Sequence, residues 1–184
     1  MPTGNDLVQV ALTHVGEQYI FGAPVPKDNP NWKGPWDCAE FTSWCVYQVC
    51  QKLYGCNNDS GSPASADAYT GFWGRDVQQL GIEVSVEQAA ATPGALVLRN
   101  PGEKCGHIVI SDGNGGTVEA HSTARGVVTD TLSNRRWDIG ILPSPPCIQA
   151  RSPNCSTPSG RQVGAARTAG TGCQLWDLRA AGVE

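Results

Sequence analysis

The stretch Asp112-Gly113-Asn114-Gly115-Gly116 constrains the fold of this chain more than any other. Its residues tolerate positive φ, and an apolar run lies on each side: Gly106 to Ser111 before it, Thr117 to Ser122 after it. A turn of this kind reverses the chain between two antiparallel strands. With the turn centred on Asn114, residue 107 faces residue 121. Further short strands are predicted at Ala95–Leu98, after Pro93-Gly94, and at Val127–Leu132 and Trp137–Leu142. Upstream the apolar spacing becomes helical. It predicts a helix over residues 5 to 16 capped by Asn5 or Asp6, a second from Asp37 to about Leu53, and a weaker third from Ala64 to Phe72. A loop punctuated by Pro24, Pro26, Pro30 and Pro35 joins the first two. Helices first and short antiparallel strands after them make an α+β layout.

The 184 residues suffice for one domain with a sizeable core, and 40% hydrophobic against 16% charged is a folded composition. A net charge of −4 excludes the basic footprint of a nucleic-acid binder. No apolar run approaches the ~20 residues of a membrane span. Composition shifts at Pro143-Ser144-Pro145-Pro146, which divides a domain over residues 1–145 from a loop-rich, cysteine-containing C-terminal extension over 146–184. The start, Met1-Pro2-Thr3-Gly4-Asn5-Asp6, lacks the basic region and apolar core of a secretory signal. Yet there are eight cysteines, and disulfides among Cys45, Cys50, Cys56, Cys105, Cys147, Cys155 and Cys173 would suit an oxidising destination. Together these features imply export by a route other than a leader, or origin in a longer chain.

Cys38 is the cysteine whose position suggests chemistry. Behind Asp37 as N-cap it becomes the first residue of a helix, where unpaired N–H groups and the helix dipole favour a thiolate. A thiolate nucleophile needs a base. Of the three histidines, His14 falls on the polar face of the first helix and is expected to be exposed, whereas His107 opens a strand and His121 lies across the hairpin from it. Glu119 and His121 differ by two and share a strand face, so either can hold the His107 imidazole in the useful tautomer. The competing arrangement is a zinc site of Cys38, His107, His121 and Cys105, whose spacing matches no standard finger or ribbon. Arg135-Arg136 reads as solvated surface.

Three blocks in order resemble the NlpC/P60 family of papain-like cysteine peptidases that cut cell-wall peptides. They are Tyr19-Ile20-Phe21-Gly22 with Trp36-Asp37-Cys38-Ala39-Glu40-Phe41; Pro93-Gly94-Ala95-Leu96-Val97; and His107-Ile108-Val109-Ile110, Gly113-Asn114-Gly115 and Val118-Glu119-Ala120-His121. The resemblance spans roughly residues 5 to 142. It implies a papain-like fold with N-terminal helices packed on a short antiparallel β-sheet. It also implies Cys38 as nucleophile, His107 as base, and Glu119, or His121 close behind it, as third member. Tyr19 and the Cys38 backbone N–H are implied at the oxyanion, and Asp37 at the cap or at a substrate amine. The implied reaction is hydrolysis of an amide in a peptidoglycan stem peptide, D-glutamyl to diamino acid or muramoyl to L-alanine, through a thioester and without metal or organic cofactor. Alternatives are a thiol amidase or acyltransferase on another substrate, and a silent wall-binding module. Action would lie in the cell-wall, periplasmic or extracellular space. An antibacterial effector of this kind would bring a delivery or immunity protein as partner. Ala39-Glu40 departs from the family's Ser-Gly, which puts the substrate subsite, though not the chemistry, in question.

Overall fold

The computed structural model describes residues 2–80, 82–100 and 106–143. The extension over 146–184 and Cys105, Cys147, Cys155 and Cys173 lie outside the described residues. In chain order the elements are α1 (Gly4–Leu12), α2 (Cys38–Cys50), α3 (Thr70–Leu80), β1 (Glu83–Val84), α4 (Val86–Ala90), β2 (Leu96–Arg99), β3 (His107–Ser111), β4 (Gly116–Ser122), β5 (Gly126–Thr131) and β6 (Ile139–Ile141). The six strands form one antiparallel sheet in the order β1-β6-β2-β3-β4-β5. This is the α+β arrangement that the sequence predicts.

The hairpin turn sets the register. Ile110 pairs with Val118 and Ser111 with Thr117, so the pairing is centred on Asn114. Asp112 Oδ1 accepts from the N–H groups of Asn114 at 2.7 Å and Gly116 at 2.9 Å, closing the turn on itself. Gly113 has φ +83°, and a Cβ there would meet the Pro93 ring at 2.5 Å, so the turn tip fits against the Pro93-Gly94 bend only without a side chain. Strand alternation then sorts the apolar residues. Leu96, Leu98, Ile108, Ile110, Val118 and Ala120 join the large core beneath α1 and α2. Ala95, Val97 and Val109 form a smaller core with Ala89 of α4 and Leu132.

Four local expectations differ. The first helix is capped by Thr3, which with Asp6 forms a capping box, and it stops at Leu12. His14 therefore lies past the helix rather than on its polar face. It is buried, edge-on to Trp36 and Trp44, with Nδ1 2.9 Å from Glu17. The third helix covers Thr70–Leu80, not 64–72, because residues 63–68 are held in place by Lys27 and Glu40, as described below. Short elements β1 and α4 carry too little periodicity to be seen in sequence. The disulfide expectation is not met where it can be seen. Cys38, Cys45 and Cys56 are thiols, and Cys45 and Cys56 fill the core as small apolar side chains.

Candidate active site

Asp37 caps α2. Its Oδ1 accepts from the Glu40 N–H at 2.8 Å, and its Oδ2 accepts from the Gly22 N–H at 3.1 Å. One carboxylate thus ties the start of the helix to the Tyr19–Gly22 segment. That segment is also paired through Ile20 N–H to the Trp36 carbonyl at 2.8 Å and Trp36 N–H to the Gln18 carbonyl at 3.0 Å. Tyr19, half-buried, is bridged to Trp36 by this ladder, one residue ahead of Asp37. Burial raises the Asp37 carboxyl above its ordinary value, against the backbone N–H groups that favour its charge.

Cys38 is the first residue of α2, where sequence analysis expects an acidified thiol. The structure reverses that sign. Burial, with the Asp37 carboxylate beside it, pushes the thiol up to about 12, and the N–H groups of Ile108, Ala39 and Cys38 itself only partly offset this. Desolvation outweighs the helix terminus because the side chain is almost closed off from water. The hydrogen bond from the Ile108 N–H sets the sulfur against β3, the strand that His107 opens.

His107 is buried, with Nε2 2.6 Å from Glu119 Oε2. Glu119 is fully buried and has every oxygen engaged. Thr117 Oγ1 donates to Oε1 at 2.6 Å, and Arg135 forks onto both oxygens, Nη1 to Oε1 at 2.6 Å and Nη2 to Oε2 at 2.8 Å. Burial works to raise this carboxyl, but the donors from Arg135, His107 and Thr117 hold it well below the usual carboxylate range. His121 makes no such bond. Ala120 pairs with Val127 and Ser122 with Gly126, so His121 is the extra residue of a bulge. Its Nδ1 pairs with Ser122 Oγ at 3.0 Å, and its ring stands edge-on to His107 at 6.1 Å. Burial lowers its proton affinity. Of the two candidates for the partner of His107, the hydrogen bond goes to Glu119.

Arg135, read in sequence as surface, is the residue that reasoning missed. Its Cζ sits 4.7 Å above the Trp137 ring, and that ring stacks at 6.1 Å on His107. Its neighbour Arg136 is the solvated one, paired with Asp138. No periodic signal marks a loop arginine that folds back onto a strand. Among the described residues, no three His, Cys, Asp or Glu side chains converge as metal ligands.

Glu40 does not face the site as a substrate-binding group. It is buried in an ion pair with Lys27 and accepts from the Ala68 N–H at 2.8 Å. Lys27, fully buried, also donates to the carbonyls of Val25 at 3.0 Å and Ala66 at 2.7 Å. The pair therefore staples residues 25–27 and 63–68 to the first turn of α2, beside a cavity of about 200 Å³ that touches Pro24, Glu40 and Asp67. Burial pushes the Glu40 carboxyl up to about 7 in spite of Lys27. A carboxyl raised in the folded state keeps a proton that the unfolded chain has shed, so folding stability falls as pH rises from the ordinary range to about 7. Lys27→Met removes the counter-charge. We expect it to cost about 3–5 kcal/mol near pH 8 and less near pH 5, read by denaturant unfolding. The double replacement Lys27→Met/Glu40→Leu is expected to recover most of that loss.

The NlpC/P60 family model matches residues 16–142, which include the cap, the thiol and the paired strands. The chain belongs to the NlpC/P60 family. Members are typically cysteine peptidases or related hydrolases. The fold is similar to the NlpC/P60 domain of the peptidoglycan hydrolase SagA, at TM-score 0.53 and 20% identity over 76% of this chain and 98% of that one. It is also similar to the P60 domain of the M. avium subspecies paratuberculosis antigen MAP1204, at TM-score 0.52 and 18% identity over 75% and 91%. For an NlpC/P60 family protein from Bacillus cereus the values are 0.52 and 18% over 77% of this chain, which spans 40% of that protein. Comparison with curated proteins gives no match.

Proposed function

We propose that this NlpC/P60 domain hydrolyses an amide bond in the stem peptides of bacterial peptidoglycan, with Cys38 as nucleophile, His107 as base and Glu119 as the residue that orients the base. The observation that carries the reading is the His107–Glu119 bond of 2.6 Å on the strand flanking the Cys38 sulfur. With Nε2 committed to Glu119, Nδ1 is the ring nitrogen left to take the thiol proton. As the sulfur attacks the carbonyl, an S–C bond forms and the proton passes to His107. The ring returns that proton to the leaving amine as the C–N bond breaks, leaving a thioester. Water, deprotonated by the same ring, then adds to the thioester carbonyl; the C–S bond breaks, the acid leaves, and the ring returns the proton to the Cys38 sulfur. The Cys38 N–H, at a helix start, and Tyr19 are the donors assigned to the oxyanion. Asp37, both oxygens engaged by backbone, acts as cap. The reading places the work in the cell-wall compartment.

The near-complete burial of the Cys38 side chain is the observation that favours a wall-binding module without turnover. Digestion separates the two. Purified peptidoglycan incubated with the protein is expected to yield new muropeptides, whose masses state whether the D-glutamyl–diamino acid bond or the muramoyl–L-alanine bond has opened. An unchanged muropeptide profile, with the protein still sedimenting with the wall, would establish the binding module instead.

A further inference from the structure

The partner of the base raises a problem that the structure answers. A carboxylate buried 2.6 Å from an imidazole, with no cation to offset it, favours the charged form of the ring, and that form cannot accept the thiol proton. We propose that Arg135 is a positioning residue of this site, a guanidinium that cancels the Glu119 charge and fixes its aim so that the carboxylate orients His107 without trapping it in the protonated form. The inference rests on the proposed role of His107 as base.

Three observations carry it. The fork of Arg135 onto both Glu119 oxygens, at 2.6 and 2.8 Å, fixes the carboxylate plane as a single point charge would not. Arg135 is itself held by the Trp137 ring beneath its Cζ at 4.7 Å and by the Thr131 carbonyl at 3.3 Å. The Trp137 indole donates to the Leu132 carbonyl at 3.1 Å, so the β5–β6 connection presents a fixed cation and a fixed ring to His107. The fork also blocks rotation of Glu119 away from the imidazole. The position of Arg135 therefore governs both the charge and the direction of the group on which His107 depends.

Other charges face the same cluster. From β4 comes His121, from β5 Asp130 with Arg125 bonded to it, and from β2 Arg99, opposite His107 in register. Asp138 is bonded to Arg136 on the same connection, and Asp37 and Cys38 lie at the start of α2. None of these is bonded to Glu119, whose side-chain partners are His107, Thr117 and Arg135.

The test uses the full chain with Cys38→Ala, so that no thiol titrates beside the ring, and ring-labelled histidine. The pH midpoint of His107 is followed by NMR with Arg135 present and in Arg135→Gln and Arg135→Lys. Arg135→Gln keeps hydrogen bonding and loses the charge. We expect it to raise the His107 midpoint by about one pH unit, a tenfold change in proton affinity. Arg135→Lys is expected to return at least half of that shift. In protein with Cys38 intact, the acid limb of the kcat/KM profile on purified peptidoglycan, below which the base is protonated, is expected to move in the same direction. An unmoved midpoint in a folded Arg135→Gln protein overturns the inference and leaves Arg135 a packing residue. Equal shifts in both variants also overturn it, because they trace the effect to lost geometry and not to charge. If only Arg135→Lys folds, a midpoint within about 0.5 unit of the parent is expected, and a larger rise overturns the inference. The ring titration needs no turnover, so inactivity on peptidoglycan would defeat the proposed function while this result still stood or fell on its own.

Discussion

Replacing Cys38 by alanine is expected to abolish wall-peptide hydrolysis, by about 10⁴-fold or more in turnover, while unfolding by denaturant is nearly unchanged. The loss is large because the sulfur forms and breaks the acyl bond, and no neighbour substitutes for it. The stability cost is small because the thiol is a small side chain that accepts only weak bonds from backbone N–H groups. Cys45 and Cys56 serve as internal controls. Both are buried thiols raised by burial, Cys56 to about 11, and neither stands at a helix start. Alanine at either is expected to lower stability through lost packing with turnover preserved in the folded fraction. Muropeptide release at fixed folded concentration reads both effects.

Glu119→Ala is expected to reduce turnover by about 10²-fold or more, and His121→Ala far less. The asymmetry follows from geometry. Glu119 holds His107 at 2.6 Å, whereas His121 occupies the bulge and pairs with Ser122. Glu119→Ala also leaves the half-buried Arg135 without its carboxylate partner, so its stability falls as well, and Glu119→Gln separates the two effects. Glutamine keeps a carbonyl acceptor for the ring but weakens the fork, and is expected to retain more turnover than alanine. Comparable, mild losses for alanine at 119 and 121 would mean that neither residue orients the ring.

The fold was legible where it rests on local chemistry. A five-residue turn of Asp, Asn and Gly specifies its own register, and the observed pairing of Ile110 with Val118 is the one that centring on Asn114 requires. From that register, Glu119 and His121 fall on the His107 side by simple alternation. The Asp37 cap and the α2 start are equally local, since a side chain that accepts from the N–H three residues on is written in the sequence itself. What was not legible depends on contacts between distant segments. Lys27 meets Glu40 and Ala66 across loops, and this displaces the third helix beyond residue 69. Arg135 reaches Glu119 from the connection before β6. His14 looks polar in a helical wheel and is core because the helix ends two residues earlier. The sign of the Cys38 shift was missed for a related reason. The helix terminus is a local property, but the burial that overrides it is made by the whole fold.

The resting thiol and the proposed nucleophile are reconciled by proton transfer. A sulfur protonated at neutral pH attacks only as His107 removes its proton, so the thioester should appear only when substrate and ring are both in place. Rapid acid quench of the protein mixed with a stem-peptide substrate, followed by intact and peptide mass analysis, tests this directly. The account requires an acyl adduct on Cys38 that accumulates before product release and is absent from Cys38→Ala. Hydrolysis at an undiminished rate in Cys38→Ala, with no adduct in either protein, would contradict it.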